Sequence, residues 1–137
     1  MKTTRLGATA LEISEIGFGG IPIIPLPQEE AVSVVQHCFD LGITFFDTAN
    51  MYPTSEEKLG VALRPIRNKV VIATKTAQRD AQSAADHIDL SLRQLQTDWI
   101  DVYQLHNVSN EDALKQVLAP QGAYEAISKA RDAGKIR

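Results

Sequence analysis

Apolar residues along this chain fall into two alternating patterns, short unbroken runs and longer stretches with helical spacing. Ile43-Thr44-Phe45-Phe46 is a short run rich in β-branched and aromatic types, which favours a strand. Lys69-Val70-Val71-Ile72-Ala73-Thr74-Lys75 predicts another, and its continuous apolar centre implies burial on both faces, as in a parallel sheet. Trp99 to Leu105 predicts a further strand, and Ile16-Gly17-Phe18-Gly19-Gly20 a first one that breaks into a glycine turn. Between these runs the period changes. Ala31, Val34, Val35, Cys38 and Leu41 mark one face of a helix, closed by Gly42. Helices are also predicted from Ser55 to Leu63, ahead of Pro65, and from about Asp80 to Gln96, with Ala85, Ile88, Leu92 and Leu95 facing inward. Two more follow at about 111–118 and 122–133, separated by Pro120 and Gly122.

The remaining stretches punctuate this series. Residues 3–16 alternate loosely and suggest a hairpin. Pro22, Pro25 and Pro27 make a stiff loop, and Glu29 and Glu30 suit a first helical turn. Thr54-Ser55-Glu56-Glu57 offers a capping box, with Thr54 and Glu57 satisfying each other's amides. Cys38 belongs to an apolar face, whereas His37 and His87 lie off the stripes and are expected at the surface. Lys135-Ile136-Arg137 resembles the start of another strand.

The order is a hairpin and then strand–helix repeated four times, which means parallel strands with right-handed crossovers. An open doubly wound sheet and a barrel both satisfy it. Against the open sheet, Ile21 and Pro22 follow Gly20, so the G-x-G-x-x-G pattern is incomplete. For the barrel, three successive strands end in Asp47, Lys75 and His106, and in a (β/α)8 barrel the strand C-termini ring one site. The predicted fold class is α/β, of the parallel (β/α) TIM-barrel type. It holds about the first four β/α units after a short N-terminal hairpin, across residues 1–137.

Composition narrows the partners. The chain has 137 residues, enough for one domain with a core, and 14 basic against 17 acidic side chains give a net charge of −3. No block of like charge points to nucleic acid. The single cysteine excludes an intrachain disulfide, and neither a signal peptide nor an apolar run of membrane-spanning length is visible. The expected setting is cytoplasmic, with no membrane partner.

Asp47, Tyr52, Lys75 and His106 compose a proton-donating set. A free phenol has a pKa of about 10 and is a reluctant acid at neutral pH. A nearby ammonium stabilises the phenolate and lowers that value. A carboxylate keeps the ammonium charged and placed, and a histidine can donate to a substrate oxygen. Such a set protonates a carbonyl oxygen as negative charge builds on it. No side chain supplies hydride, so a nicotinamide would have to. A metal-dependent hydrolase is disfavoured: the three histidines form no H-x-H or H-E-x-x-H pattern, and no metal site is expected.

These residues sit in motifs that resemble the aldo-keto reductase family: Gly17-Phe18-Gly19-Gly20, Phe46-Asp47-Thr48-Ala49-Asn50-Met51-Tyr52, Ser55-Glu56-Glu57-Lys58-Leu59-Gly60, Ala73-Thr74-Lys75-Thr76 and Asp101-Val102-Tyr103-Gln104-Leu105-His106. The likeness runs through essentially the whole chain. It implies Tyr52 as general acid, Lys75 as its partner, Asp47 as the salt-bridge partner of Lys75, and His106 as the orienter of a small-molecule carbonyl substrate. It also implies NADP(H), with Gly20, Ile21 and Asp47 beside the nicotinamide ribose. Gln104-Leu105-His106-Asn107 resembles a subgroup whose longer members can carry an iron–sulfur segment. Pro53 departs from the glycine that many relatives have there.

Length is the larger departure. A complete barrel takes about 250 residues. The expectation is the N-terminal half of a longer reductase, inactive alone, with the adenosine-phosphate contacts in the other half. The alternatives are a non-catalytic half-barrel that self-associates through exposed sheet edges and a regulatory reductase-like subunit.

Overall fold

A computed structural model describes all residues from Met1 to Arg137. A hairpin comes first: β1 (Thr3–Arg5) pairs antiparallel with β2 (Glu12–Ser14). A four-stranded parallel sheet follows in the order β3 (Phe18–Gly19), β4 (Phe45–Asp47), β5 (Val71–Thr76), β6 (Val102–Leu105). The connections carry α1 (Gln28–Asp40), α2 (Ser55–Leu63) and α3 (Ala81–Gln94); α4 (Glu111–Leu118) and α5 (Ala123–Asp132) follow β6. Sequential strands lie side by side, in the manner of the first four units of a (β/α) barrel.

The core forms where helices cover one face of the sheet. Phe46 of β4 and Ile72 of β5 are cross-strand partners, both fully buried with Ala31, Val35, Leu59 and Leu63. Because strand side chains alternate in direction, Phe45, Asp47, Ala73 and Lys75 belong to the opposite face. Smaller clusters under α5 join Ala84, Val117, Ala123 and Ala126, and Ile88, Ala130 and Ile136. The hairpin is tied to the sheet reciprocally: the Ser14 amide donates to Thr44 Oγ1 and the Thr44 amide to Ser14 Oγ, both at 2.9 Å.

Local chemistry explains the helix ends. Asp80 accepts from the Ser83 amide at 2.8 Å, which holds its carboxyl below the usual range, and Asn110 caps α4 through the Ala113 amide at 2.8 Å. Gly42 takes φ +95 at the end of α1, which a side chain would resist. The expected closing strand start is real: the Ile100 amide donates to the Lys135 carbonyl and the Arg137 amide to the Ile100 carbonyl, each at 2.9 Å.

Several expectations are corrected. The first strand is only two residues long. The buried side of α1 is Ala31 and Val35, supported by Val32 and Phe39, while Val34 and Leu41 are exposed. The capping box does not form: Thr54 has a left-handed backbone (φ 59) and no side-chain cap bond. His87 is half-buried rather than solvated. Its Nδ1 lies 3.1 Å from Thr76 Oγ1, and its Nε2 lies 3.1 Å from Gln78 Nε2.

Candidate active site

Register brings the candidate side chains to the C-terminal ends of the strands. Asp47 closes β4, level with Gly19 of β3 and Ala73 of β5, while Lys75 lies two residues further along β5. Lys75 Nζ donates to Asp47 Oδ2 at 2.6 Å and to the Thr48 carbonyl oxygen at 2.6 Å. It also lies 5.5 Å from the centre of the Tyr52 ring. The Tyr52 and His106 rings meet edge to face, with centroids 5.8 Å apart. All four predicted residues therefore converge on one end of the sheet.

The loop bearing Tyr52 is anchored to the strand bearing Lys75. The Asn50 amide donates to the Lys75 carbonyl at 3.0 Å, and the Tyr52 amide closes a turn on the Ala49 carbonyl at 2.9 Å. The Asn50 side chain reaches Glu56 Oε2 at 3.3 Å and Ser91 Oγ at 3.2 Å. Glu56 is buried and accepts from Thr74 Oγ1 at 2.6 Å. Burial pushes the Glu56 carboxyl above its ordinary range, against the hydrogen bonds from Thr74, Ser91 and Asn50. The Tyr103 hydroxyl is buried nearby, and desolvation with the Glu56 charge takes that phenol well above its ordinary value.

His106 arrives one residue past β6, its amide bonded to the Thr76 carbonyl at 2.8 Å. Its pKa is lowered, first by desolvation, then by the Lys75 charge, with Asp47 opposing and Arg79 adding to the fall. The neutral imidazole is thereby favoured, which leaves one ring nitrogen as donor and the other as acceptor.

Gly20 and Ile21 differ sharply in setting. Gly20 is buried; its amide donates to the Asp47 carbonyl at 2.8 Å and its carbonyl accepts from Ser55 Oγ at 2.9 Å. A Cβ at Gly20 would collide with Ser55 Oγ, so the missing side chain makes room for the protein's own packing. Ile21 is 55% exposed on the same rim. The site lies open on the rim, whereas the 620 Å³ recess lined by Leu11, Tyr103 and Ile136 is bounded by the hairpin and α5. No group of His, Cys, Asp and Glu side chains is arranged to hold a metal ion.

Comparison with known proteins gives this geometry its context. The Aldo/keto reductase family model matches residues 15–137. The chain belongs to the aldo/keto reductase family. Among curated relatives, L-galactose dehydrogenase of Arabidopsis thaliana is 33% identical over 96% of this chain and 45% of its own length. The chain thus spans about half the length of the curated relatives it matches. Among solved structures, the holo form of aldo-keto reductase AKR11C1 from Bacillus halodurans superposes with a TM-score of 0.84 at 30% identity, covering 100% of this chain and 48% of that one. An aldo-keto reductase from Klebsiella pneumoniae, solved in complex with NADPH, gives a TM-score of 0.78 at 31% identity, covering 92% of this chain and 44% of that one.

Within this aldo/keto reductase chain, sequence reasoning missed the supports behind the rim. Glu56 and Lys58 are buried, and only their hydrogen-bond partners reveal why. Lys58 Nζ donates to the carbonyls of Ile23, Ile24 and Leu26 at 3.1, 2.7 and 2.7 Å. The one usable signal was spacing: Ser55, Leu59, Ala62 and Leu63 define the inner side of α2, and Glu56 and Lys58 flank it. No helix is long and apolar enough to cross a membrane.

Proposed function

We propose that this chain contributes the proton-donating half of an NADP(H)-dependent carbonyl reductase, which converts an aldehyde or ketone to an alcohol. The observation that supports it best is the bridging position of Lys75. Its ammonium is 2.6 Å from Asp47 Oδ2 and 5.5 Å from the Tyr52 ring centre. Tyr52 is the general acid and donates its phenolic proton to the carbonyl oxygen as negative charge develops there. Lys75 stabilises the resulting phenolate, and Asp47 holds Lys75 in place. His106, kept neutral, donates a hydrogen bond that orients the carbonyl.

The residues present fit a nicotinamide ribose. Asp47 keeps Oδ1 free of protein partners on a side chain that is 34% exposed, which suits it to accept from a ribose hydroxyl, and exposed Ile21 follows Gly20, whose amide bonds the Asp47 carbonyl. When bound, the nicotinamide supplies hydride to the carbonyl carbon. The NADPH complex of the Klebsiella pneumoniae relative supports this choice of cofactor.

The deciding experiment compares Tyr52→Phe with the parent in the intact protein. Carbonyl reduction should fall by roughly 10²–10⁴-fold with NADPH affinity retained. Equal activity in the two proteins would remove Tyr52 from the chemistry. Fluorescence titration should show weak or no NADPH binding by the 137-residue chain and clear binding by a longer form.

A second reading concerns the chain by itself. Strands β3 and β6 are open sheet edges, and such edges invite pairing between copies. Light scattering on the purified 137-residue chain should report self-association; a compact monomer would contradict it.

A further inference from the structure

Arg79 lies between β5 and α3, outside the set of four, yet it reaches the last of them. Its Nη2 donates to the carbonyl oxygens of His106 at 2.9 Å and Asn107 at 3.2 Å. Asn107 has a left-handed backbone, φ 56, so the chain turns sharply just where the guanidinium grips it. One guanidinium nitrogen, Nη2, carries two hydrogens and so can donate to both successive carbonyls at once. The Arg79 carbonyl in turn accepts from the Ala123 amide at 2.8 Å, which fastens the clamp to the start of α5.

The two ring nitrogens of His106 have different surroundings. Nδ1 is buried and has no hydrogen-bond partner in the protein, and Nη1 of Arg79 is likewise buried and without one. Nε2 is not sealed in this way. A proton on the buried Nδ1 would have no acceptor to receive it, and the charges of Lys75 and Arg79 both act against added positive charge on the ring. A lone pair there is the cheaper arrangement. The proton of the neutral ring then belongs on Nε2, the nitrogen free to meet a ligand.

We propose that Arg79 is a positioning residue for His106: by clamping the His106 and Asn107 carbonyls and adding its positive charge to this end of the sheet, it favours the tautomer that carries its proton on Nε2. Other charged and titratable groups act on the same ring: Lys75 of β5, Asp47 of β4 and Tyr52 in the loop after β4. Lys75 works in the same sense as Arg79 and Asp47 against both. The catalytic consequence, a donor aimed at the substrate oxygen, rests on the reductase reading above. The tautomer itself does not.

The test is imidazole ¹⁵N–¹H correlation spectroscopy on the intact protein without substrate, with His106 signals assigned by their loss in His106→Asn. In the parent, Nδ1 should show the shift of an unprotonated nitrogen and Nε2 that of a protonated one. Arg79→Gln should raise the His106 pKa and mix the tautomers, the backbone amide spectrum confirming the fold. Arg79→Lys keeps the charge and a multiple donor, so both the pKa and the tautomer preference should stay nearer the parent's than in Arg79→Gln. Carbonyl reduction by Arg79→Gln should drop by about tenfold, chiefly in kcat. A parent protein with its proton on Nδ1 would overturn the proposal without any variant. So would an Arg79→Gln protein, folded, with unchanged tautomer and pKa. If the tautomer shifts as expected but turnover does not, the positioning role stands and the role of His106 in reduction fails.

Discussion

Lys75 and Asp47 form a 2.6 Å ion pair whose ammonium also bonds the Thr48 carbonyl at 2.6 Å. Two of its three protons are committed to β4 and the residue that follows it, so one remains for a further acceptor. Lys75→Met should leave the sheet intact, because the pair is partly exposed and such pairs contribute only about 0–1 kcal/mol. Carbonyl reduction by the intact protein should nonetheless fall by about 100-fold or more. Steady-state kinetics beside a urea melt separates the two effects; equal losses of stability and activity would mean that Lys75 is structural.

Glu56 supplies a prediction with a definite sign. Burial raises its carboxyl above the ordinary value of 4.5. The folded state then holds this proton to higher pH than the unfolded chain does. Its stabilising contribution is complete below 4.5 and is lost as pH rises through the folded value. Glutamine has no such loss. The stability of Glu56→Gln relative to the parent should improve as pH rises above 4.5 and level off once Glu56 is ionised in the folded protein. Denaturant melts across that range check it, and a difference that stays constant with pH would refute it.

At the other end of the strands Asp101 is fully enclosed. It accepts from the Ile72 amide at 3.0 Å, Arg67 Nη2 at 2.6 Å and Arg137 Nη1 at 3.0 Å. Arg67 is itself buried and stacks 4.5 Å from the Trp99 ring centre. Asp101→Asn would leave a buried guanidinium without its counter-charge, at a cost of about 3–5 kcal/mol. The urea midpoint should fall with the slope of the transition unchanged.

Gly60 tests how closely α2 meets α3. A Cβ there would strike the Gln94 carbonyl and the Leu95 backbone. Alanine favours a helix interior over glycine by up to about 1 kcal/mol. Overpacking costs about 1–3 kcal/mol, and backbone atoms cannot swing aside as a side-chain tip can. Gly60→Ala should therefore lower the melting temperature rather than raise it.

The sequence was most legible where one physical rule dominated. Val71 to Ala73 has no polar residue to place in water, and it opens the inner strand β5; Asp47, Lys75 and His106, at or next to the ends of three strands, gather at one end of the sheet with Tyr52. It was least legible where two rules competed. Thr54 has the right spacing for a cap, but Ser55 is drawn inward to Thr48 Oγ1 at 2.8 Å and to the Gly20 carbonyl, which turns Thr54 out of capping geometry. Glu56 and Lys58 carry no sequence sign of burial of their own, because charge normally seeks water. Their partners come from Thr74, Asn50 and the proline loop, distant positions that no local pattern connects to them. Val34 misled for the opposite reason, since an apolar residue at the surface is commonplace.

Lys58 holds the loop between β3 and α1 by its main-chain oxygens alone. Every amino acid presents the same oxygen, so the peg does not read the identity of what it secures. Apart from Ile23, which is sunk in the core, and Leu26, which packs against it, residues 21–27 can diverge while their path over the rim is preserved. One unvarying lysine would thus let the lip of the site be rewritten without rebuilding the scaffold beneath it.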